Sequence, residues 1–350
     1  RRRPIVAVDS AEDGQVRTRL DEVNGYASYR RDPEWQAGVL AQFRESLREI
    51  VRICQTAGVP LILVQLGSNL RDCPPFKSEH RADLPSVDER VWQELFEEGS
   101  RRSVDDPAGA LRAYENVAGI DGDYALVQYR IARELDRLGR ADEALLRYQR
   151  AKDQDICPLR MLTGQHRFLD ELAAGSGVNL VDAGRVLAAA SPGGVPGFDW
   201  YLDHVHPTIG GHQKIAQALL ERMLESGLVN VPIERNMDEL RRARASHFDL
   251  LGSRYLKDGA RRLEWLDAWA RRAKLTDEVA PRNWSDFVRR GFRRLDFGAM
   301  ESAMDAFDLA LKLAPVEARE RLQKQVEVLD EQGRRDAAEW LRVEIMNFVL

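Results

Sequence analysis

The 350-residue sequence predicts an α/β layer fold with one block of helical repeats inserted into it and a second helical block at its C-terminus. Two observations give the α/β part. An amphipathic helical pattern at 35–54 runs into a continuous apolar stretch at 59–66, and the same succession returns at 161–174 and 178–182. Short apolar runs that alternate with helices belong to parallel strands buried under helical layers. A third observation, a repetition with a period of 34 residues between these units, gives the helical block.

Taken in order, Trp35, Val39, Phe43, Leu47, Val51 and Cys54 fall three or four residues apart and stack on one helical face. Asp32 is placed to cap this helix, Pro33 suits its first turn, and Gly58 stops it. The run at 59–66 then reads as a buried strand, and Gly67-Ser68-Asn69 turns away from it. Next, Ala110, Tyr114, Val117 and Asp121 recur as Ala144, Tyr148, Ala151 and Asp155, each 34 residues on. This is the tetratricopeptide period, in which small alanines let paired helices approach closely. Leu138-Gly139-Arg140 makes the turn between two helices. Because these repeats interrupt the helix–strand units, they read as an insertion at a strand-end loop, where lids over active sites grow. A third helix is expected at 210–224, with Thr208 as its cap. From about 235 onward the pattern is helical, with Trp265, Trp269 and Trp284 as core anchors. A further repeat copy runs through Trp284, Gly291, Ala303, Phe307, Ala310 and Pro315, and Gly333 with Ala337 suggests one more pair. The expected division is therefore 1–87, first α/β segment; 88–156, inserted repeats; 157–230, closing α/β segment; and 231–350, C-terminal helical repeats.

Composition narrows the functional classes. A net charge of -5 drawn from 31% charged residues is mixed along the chain and sets up no basic field for nucleic acid. Three cysteines, Cys54, Cys73 and Cys157, form no even disulfide framework and no Cys-x-x-Cys pair. No apolar run approaches the roughly 18 residues of a membrane helix, and no signal peptide is legible. Taken alone, the sequence suits the cytoplasm. It opens at Arg1 rather than Met, so an N-terminal piece is expected to be missing; such a piece could carry a signal or anchor, which leaves the localisation open.

Chemistry concentrates in "DWYLDHVHPTIGGHQKIAQAL", residues 199–219. Asp203 and His206 lie three apart on a loop before a glycine-opened helix, a spacing that lets both side chains converge. The carboxylate can hold one imidazole nitrogen while the other faces a nucleophile, as a serine esterase requires. Asp203, His204, His206 and His212 also admit a metal reading, but no further carboxylate or cysteine group stands nearby, so no metal is expected. No cofactor is expected either.

This block resembles the closing Asp-x-x-His motif of the SGNH/GDSL-type hydrolases. The order "GYASYRRDPEW … NLRDCPPFKSEH … AKDQDICPLR … YLDHVHPTIGGH" resembles a bacterial subgroup that joins such a domain to tetratricopeptide repeats, over about residues 20–225. The resemblance implies a three-layer, flavodoxin-like α/β sheet, here partial, and places Asp203 and His206 second and third in a triad. It also implies a serine on an early strand turn, with a glycine and an asparagine completing the oxyanion hole. Ser10 in "PIVAVDSAEDG" imitates the serine, although Val8 stands where the family has glycine, and Asn69 imitates the asparagine. The stretch from Ser10 to Trp35 is too short for the family's intervening units, so the nucleophile is expected upstream of Arg1.

Lys77, His80 and Arg160 are candidate contacts for an anionic or sugar portion of the substrate. The expected function is hydrolysis of an ester, with O-acetylated carbohydrate as the candidate substrate and acyl transfer as a variant. The repeats would shape the entrance or dock a protein partner. The competing expectation is a non-catalytic tetratricopeptide scaffold with a degenerate α/β platform.

Overall fold

A computed structural model describes residues 28–230, 238–248, 281, 283–296 and 298–347, together with 250, 251, 255, 258, 259 and 261. The sequence-predicted three-layer sheet is not what this chain forms. Among the described residues the structure is 69% helical, and its sheet has two strands. Parts of the runs at 59–66 and 178–182 become strands, β1 (Ile62–Gln65) and β2 (Asn179–Asp182), which pair in parallel from Ile62–Asn179 to Gln65–Asp182, while Val59 and Leu66 at the ends of the first run are exposed. The overcount arose because two correct helix–strand units were extended to a whole sheet, whereas helical hairpins fill most of the intervening and following sequence.

Helix α1 (Pro33–Thr56) starts as expected, with the Asp32 carboxylate accepting from the Trp35 amide at 2.8 Å. Gly58 follows its end with φ of +67°, a left-handed conformation that glycine adopts without strain. Only part of the predicted apolar stripe is covered. Phe43, Leu47 and Val51 pack with Leu63 and Leu169, whereas Trp35 is 70% and Val39 50% exposed. The stripe is longer than the surface it meets, so its first two turns project beyond the core.

The inserted block comprises α2 (Ser86–Arg102), α3 (Pro107–Ile120), α4 (Ala125–Arg137) and α5 (Ala141–Asp153), each packed on its neighbour. Every position of the 34-residue repetition is buried, with Ala110, Tyr114 and Val117 on α3 and Ala144, Tyr148 and Ala151 on α5. Burying such tyrosines contributes a large apolar area each, and their small neighbours make room for the rings. Gly99 of α2 sits against the Tyr114 ring, where a Cβ would come within 2.7 Å. The repeated aspartates have a second use. Asp155 accepts from the Phe76 and Lys77 amides at 2.8 and 3.0 Å, and Asp121 accepts from the Arg81 amide at 3.2 Å and pairs with His80 Nδ1 at 2.8 Å. Two equivalent repeat positions thus fasten the loop that leaves β1.

The chain then forms α6 (Thr163–Ser176), β2, α7 (Ala183–Ala189) and α8 (Ile209–Glu225). The C-terminal block comprises α9 (Trp284–Asp296), α10 (Met300–Leu313), α11 (Pro315–Glu331) and α12 (Arg335–Asn347), around Phe292, Phe307, Leu322, Leu329 and Leu341. Trp284 packs on this core; Trp265 and Trp269 lie outside the described residues. Gly291 faces Phe307 as Gly99 faces Tyr114, a small residue under a ring in both blocks.

Buried ion pairs join the blocks. Arg71, after β1, holds Asp136 of α4 at 2.7 and 3.1 Å. Its neighbour Asp72 takes Arg289 of α9 at 3.0 and 3.1 Å, Arg289 also holds Asp286 at 2.6 Å, and Asp286 meets Arg133 of α4 at 3.3 Å. Burial pushes the Asp72 carboxyl up, but Arg289, the Phe198 amide and Arg71 more than offset this and leave it below its usual range.

Candidate active site

The segment between α7 and α8 folds back on itself beside the ends of β1 and β2. Tyr201 and Pro207 form an antiparallel bridge, the Leu202 amide donates to the His206 carbonyl at 2.8 Å, and the Thr208 amide donates to the Trp200 carbonyl at 2.8 Å. Thr208 then caps α8, its hydroxyl accepting from the Gly211 amide at 3.1 Å. Asp203 and His206 stand in the closed loop so formed. Tyr201, 1% exposed, anchors its base, and a Cβ on Gly67 would come within 2.6 Å of the Gly184 Cα, so the close approach leaves no room for a side chain on Gly67.

Asp203 Oδ2 accepts from His206 Nδ1 at 2.7 Å, and Asp203 Oδ1 accepts from the Val205 and His206 amides at 2.8 Å each. The carboxylate is 10% exposed and the imidazole 69%. Burial raises the Asp203 pKa, but the His206 amide, the His204 ring, the Val205 amide and the His206 side chain together hold it below the usual carboxylate range. The acid is therefore an anion fixed by three donors. With Nδ1–H committed to it, the neutral His206 ring carries its lone pair on Nε2, on a side chain open to solvent. This is the geometry of a general base held in one tautomer.

His204 and His212 flank the pair. The His204 ring centroid lies 6.3 Å from that of His206 and 5.1 Å from Phe76. Burial lowers the pKa of both flanking histidines, and proximity to His206 lowers them further, while Asp203 opposes the shift at His204. Among the described residues no three side chains are arranged to hold a metal ion. Burial pushes the Cys73 thiol up to about 11; Arg160 is the next effect and opposes this, while the Asp155, Asp203 and Asp72 carboxylates add to the rise.

Asn69, the expected oxyanion donor, is fully buried and braces the loop. Its Nδ2 donates to the Asp203 carbonyl at 3.1 Å, its amide to the His204 carbonyl at 3.0 Å, and its Oδ1 accepts from the Asp72 amide at 2.9 Å. Arg160, expected at the substrate, is 5% exposed and donates to the Asn69 and Cys73 carbonyls at 3.1 and 2.8 Å. Lys77 Nζ donates to the Tyr29 carbonyl at 2.6 Å and meets Glu79 at 3.6 Å. His80 pairs with Asp121 and lies 4.6 Å from Trp92 and from Tyr124 by ring centroids. Asn69 and Arg160 thus join the Asp203–His206 loop as supports, whereas Lys77 and His80 serve the loop after β1. Ser10 lies outside the described residues. Sequence reasoning passed over Asp72 and the arginines of α9 and α11. The signal for Asp72 was a charged pair, Arg71-Asp72, on the loop that follows an apolar strand and with no solvent-facing periodicity.

No protein-family model matches the chain, and no curated protein sequence matches it significantly. Among the described residues no helix is long and apolar enough to cross a membrane.

Proposed function

We propose that the protein is an ester hydrolase of the SGNH/GDSL chemical type, in which Asp203 and His206 activate a serine. The single observation that carries this reading is the 2.7 Å contact from a solvent-exposed His206 ring to a buried, three-fold-donated Asp203 carboxylate. In the reaction, His206 Nε2 takes the serine proton as Oγ bonds to the ester carbonyl carbon. The imidazolium, stabilised by Asp203, returns that proton to the departing alcohol. Water then attacks the acyl-serine by the same proton route and releases the acid. An O-acetylated carbohydrate is the candidate substrate, with transfer of the acyl group to another alcohol as the variant reaction.

Hydrolysis of p-nitrophenyl acetate tests the reading, with a fluorophosphonate probe and peptide mapping to find the serine. His206→Ala should lower kcat/KM by about 10³–10⁴-fold, the usual loss when one triad member is removed. Turnover that His206→Ala leaves intact would sink the proposal. A second reading, a tetratricopeptide-type scaffold for a protein partner, is favoured by the preponderance of helical hairpins over sheet. A full-length protein that carries the expected serine-bearing segment and neither turns over esters nor takes up the probe would support it instead.

A further inference from the structure

The loop bearing Asp203 and His206 is suspended by three consecutive carbonyls. The Asp203 and His204 carbonyls accept from Asn69, at 3.1 and 3.0 Å. The Leu202 carbonyl accepts from the guanidinium Nε of Arg293, which reaches over from α9 in the C-terminal block. The same guanidinium carbon lies 4.7 Å from the centre of the Phe198 ring, so one side chain touches both ends of the stretch 198–202. Two other arginines of the block act on this stretch. Arg321 of α11 holds Asp199 at 2.9 Å, and Arg289 of α9 holds Asp72, whose Oδ2 accepts from the Phe198 amide at 2.8 Å.

We propose that Arg293 is a positioning residue for the Asp203–His206 pair, and that the C-terminal helical block is thereby a working part of the site. The Leu202 carbonyl and the Asp203 amide belong to one planar peptide unit, so fixing the carbonyl fixes the plane from which the Asp203 Cα departs. The amide of Leu202 is already tied to the His206 carbonyl at 2.8 Å, so Arg293 holds the second side of that residue. Its bond is charge-assisted and part-buried, and therefore among the stronger kind. Released, the peptide can turn and carry the carboxylate away from the imidazole. A misplacement of about 1 Å in such a pair costs on the order of 10²-fold in rate. Of the three carbonyl contacts, those from Asn69 would then remain, both from one side.

The catalytic half of this inference rests on the hydrolase reading, and the structural half does not. The test therefore uses both readouts on the full chain, for wild type, Arg293→Ala and Arg293→Lys. Amide hydrogen exchange at Val205 and His206, which donate to Asp203, reports the loop directly. Exchange at Leu322 and Leu329, in the core of the C-terminal block, reports general loosening. Arg293→Ala should speed exchange at 205 and 206 by about tenfold or more, leave 322 and 329 within about twofold, and lower kcat by about 10–100-fold with little change in KM. Arg293→Lys, which keeps a cation and a donor, should fall between. Unchanged exchange at 205 and 206, or an equal rise throughout the block, overturns the inference. A full-length wild-type protein inert toward esters, whose Arg293 variants still show the loop-specific exchange pattern, would remove the hydrolase reading and uphold the positioning role.

Discussion

Asp72→Asn is the sharpest test of how the three parts of the chain are held together. The wild-type carboxylate makes a two-point contact to Arg289 at 3.0 and 3.1 Å and accepts from the Phe198 amide at 2.8 Å. Arg289 is 7% exposed, so removal of its partner leaves a guanidinium charge in a poorly solvated place. Breaking a buried pair from one side costs about 3–5 kcal/mol. Two features put this case at the lower end: Asp286 still holds Arg289 at 2.6 Å, and the asparagine oxygen can still accept from Phe198. A loss of about 3 kcal/mol is therefore expected, a factor of roughly 150 in the folding equilibrium at about 1.4 kcal/mol per tenfold. Urea unfolding followed by tryptophan fluorescence reads this as a midpoint lowered by about 1 M, for a slope near 3 kcal/mol/M. The double variant Asp72→Asn/Arg289→Met removes the stranded charge as well and should be milder than the sum of its parts. A midpoint shift under about 0.3 M in the single variant would refute the reasoning, because the pair would then carry little of the docking energy.

Two further outcomes follow from the geometry. Gly291→Ala would put a methyl group 2.6 and 2.8 Å from carbons of the fully buried Phe307 ring, and should cost about 1–3 kcal/mol in a thermal melt, more than Gly99→Ala beneath Tyr114; neutrality at both sites would contradict the described packing. Asp203 has a folded pKa below its unfolded value, so its stabilising contribution is present above about pH 4 and lost as the pH falls through the folded value. The stability cost of Asp203→Asn should accordingly be full at pH 7 and fade in acid, whereas a cost that grows in acid would show the sign to be wrong.

Local signals in the sequence were reliable guides to local structure. The Asp32 and Thr208 caps, the glycine after α1, the strands within 59–66 and 178–182, and the burial at each 34-residue repeat position all stand where pattern and capping chemistry put them. The meeting of Asp203 and His206 was legible for the same reason, since a three-residue spacing in one loop needs no tertiary information. The size of the sheet was not legible, because a short apolar run states that it is buried and leaves open how many partners flank it. Neither was the partial exposure of α1: Trp35 and Phe43 share one periodicity, and only the extent of the opposing surface separates them. Arg293, Arg289 and Arg321 were invisible for a different reason. Their partners lie 91, 217 and 122 residues away, and a charged side chain on a helix looks the same in sequence whether it meets water or a distant carbonyl.

The two repeat aspartates that grip the loop after β1 make the inserted hairpins non-interchangeable. In an ordinary array a unit can be added, deleted or swapped, because each touches only the next. Here Asp121 and Asp155 act like two teeth of a key, cut at one pitch and seated in successive notches of a single strand-exit segment. Adding or removing a hairpin would shift one tooth out of register while the other stayed seated. The length of this array is therefore set by the distance along residues 76–81 that it has to span, and only secondarily by its own packing.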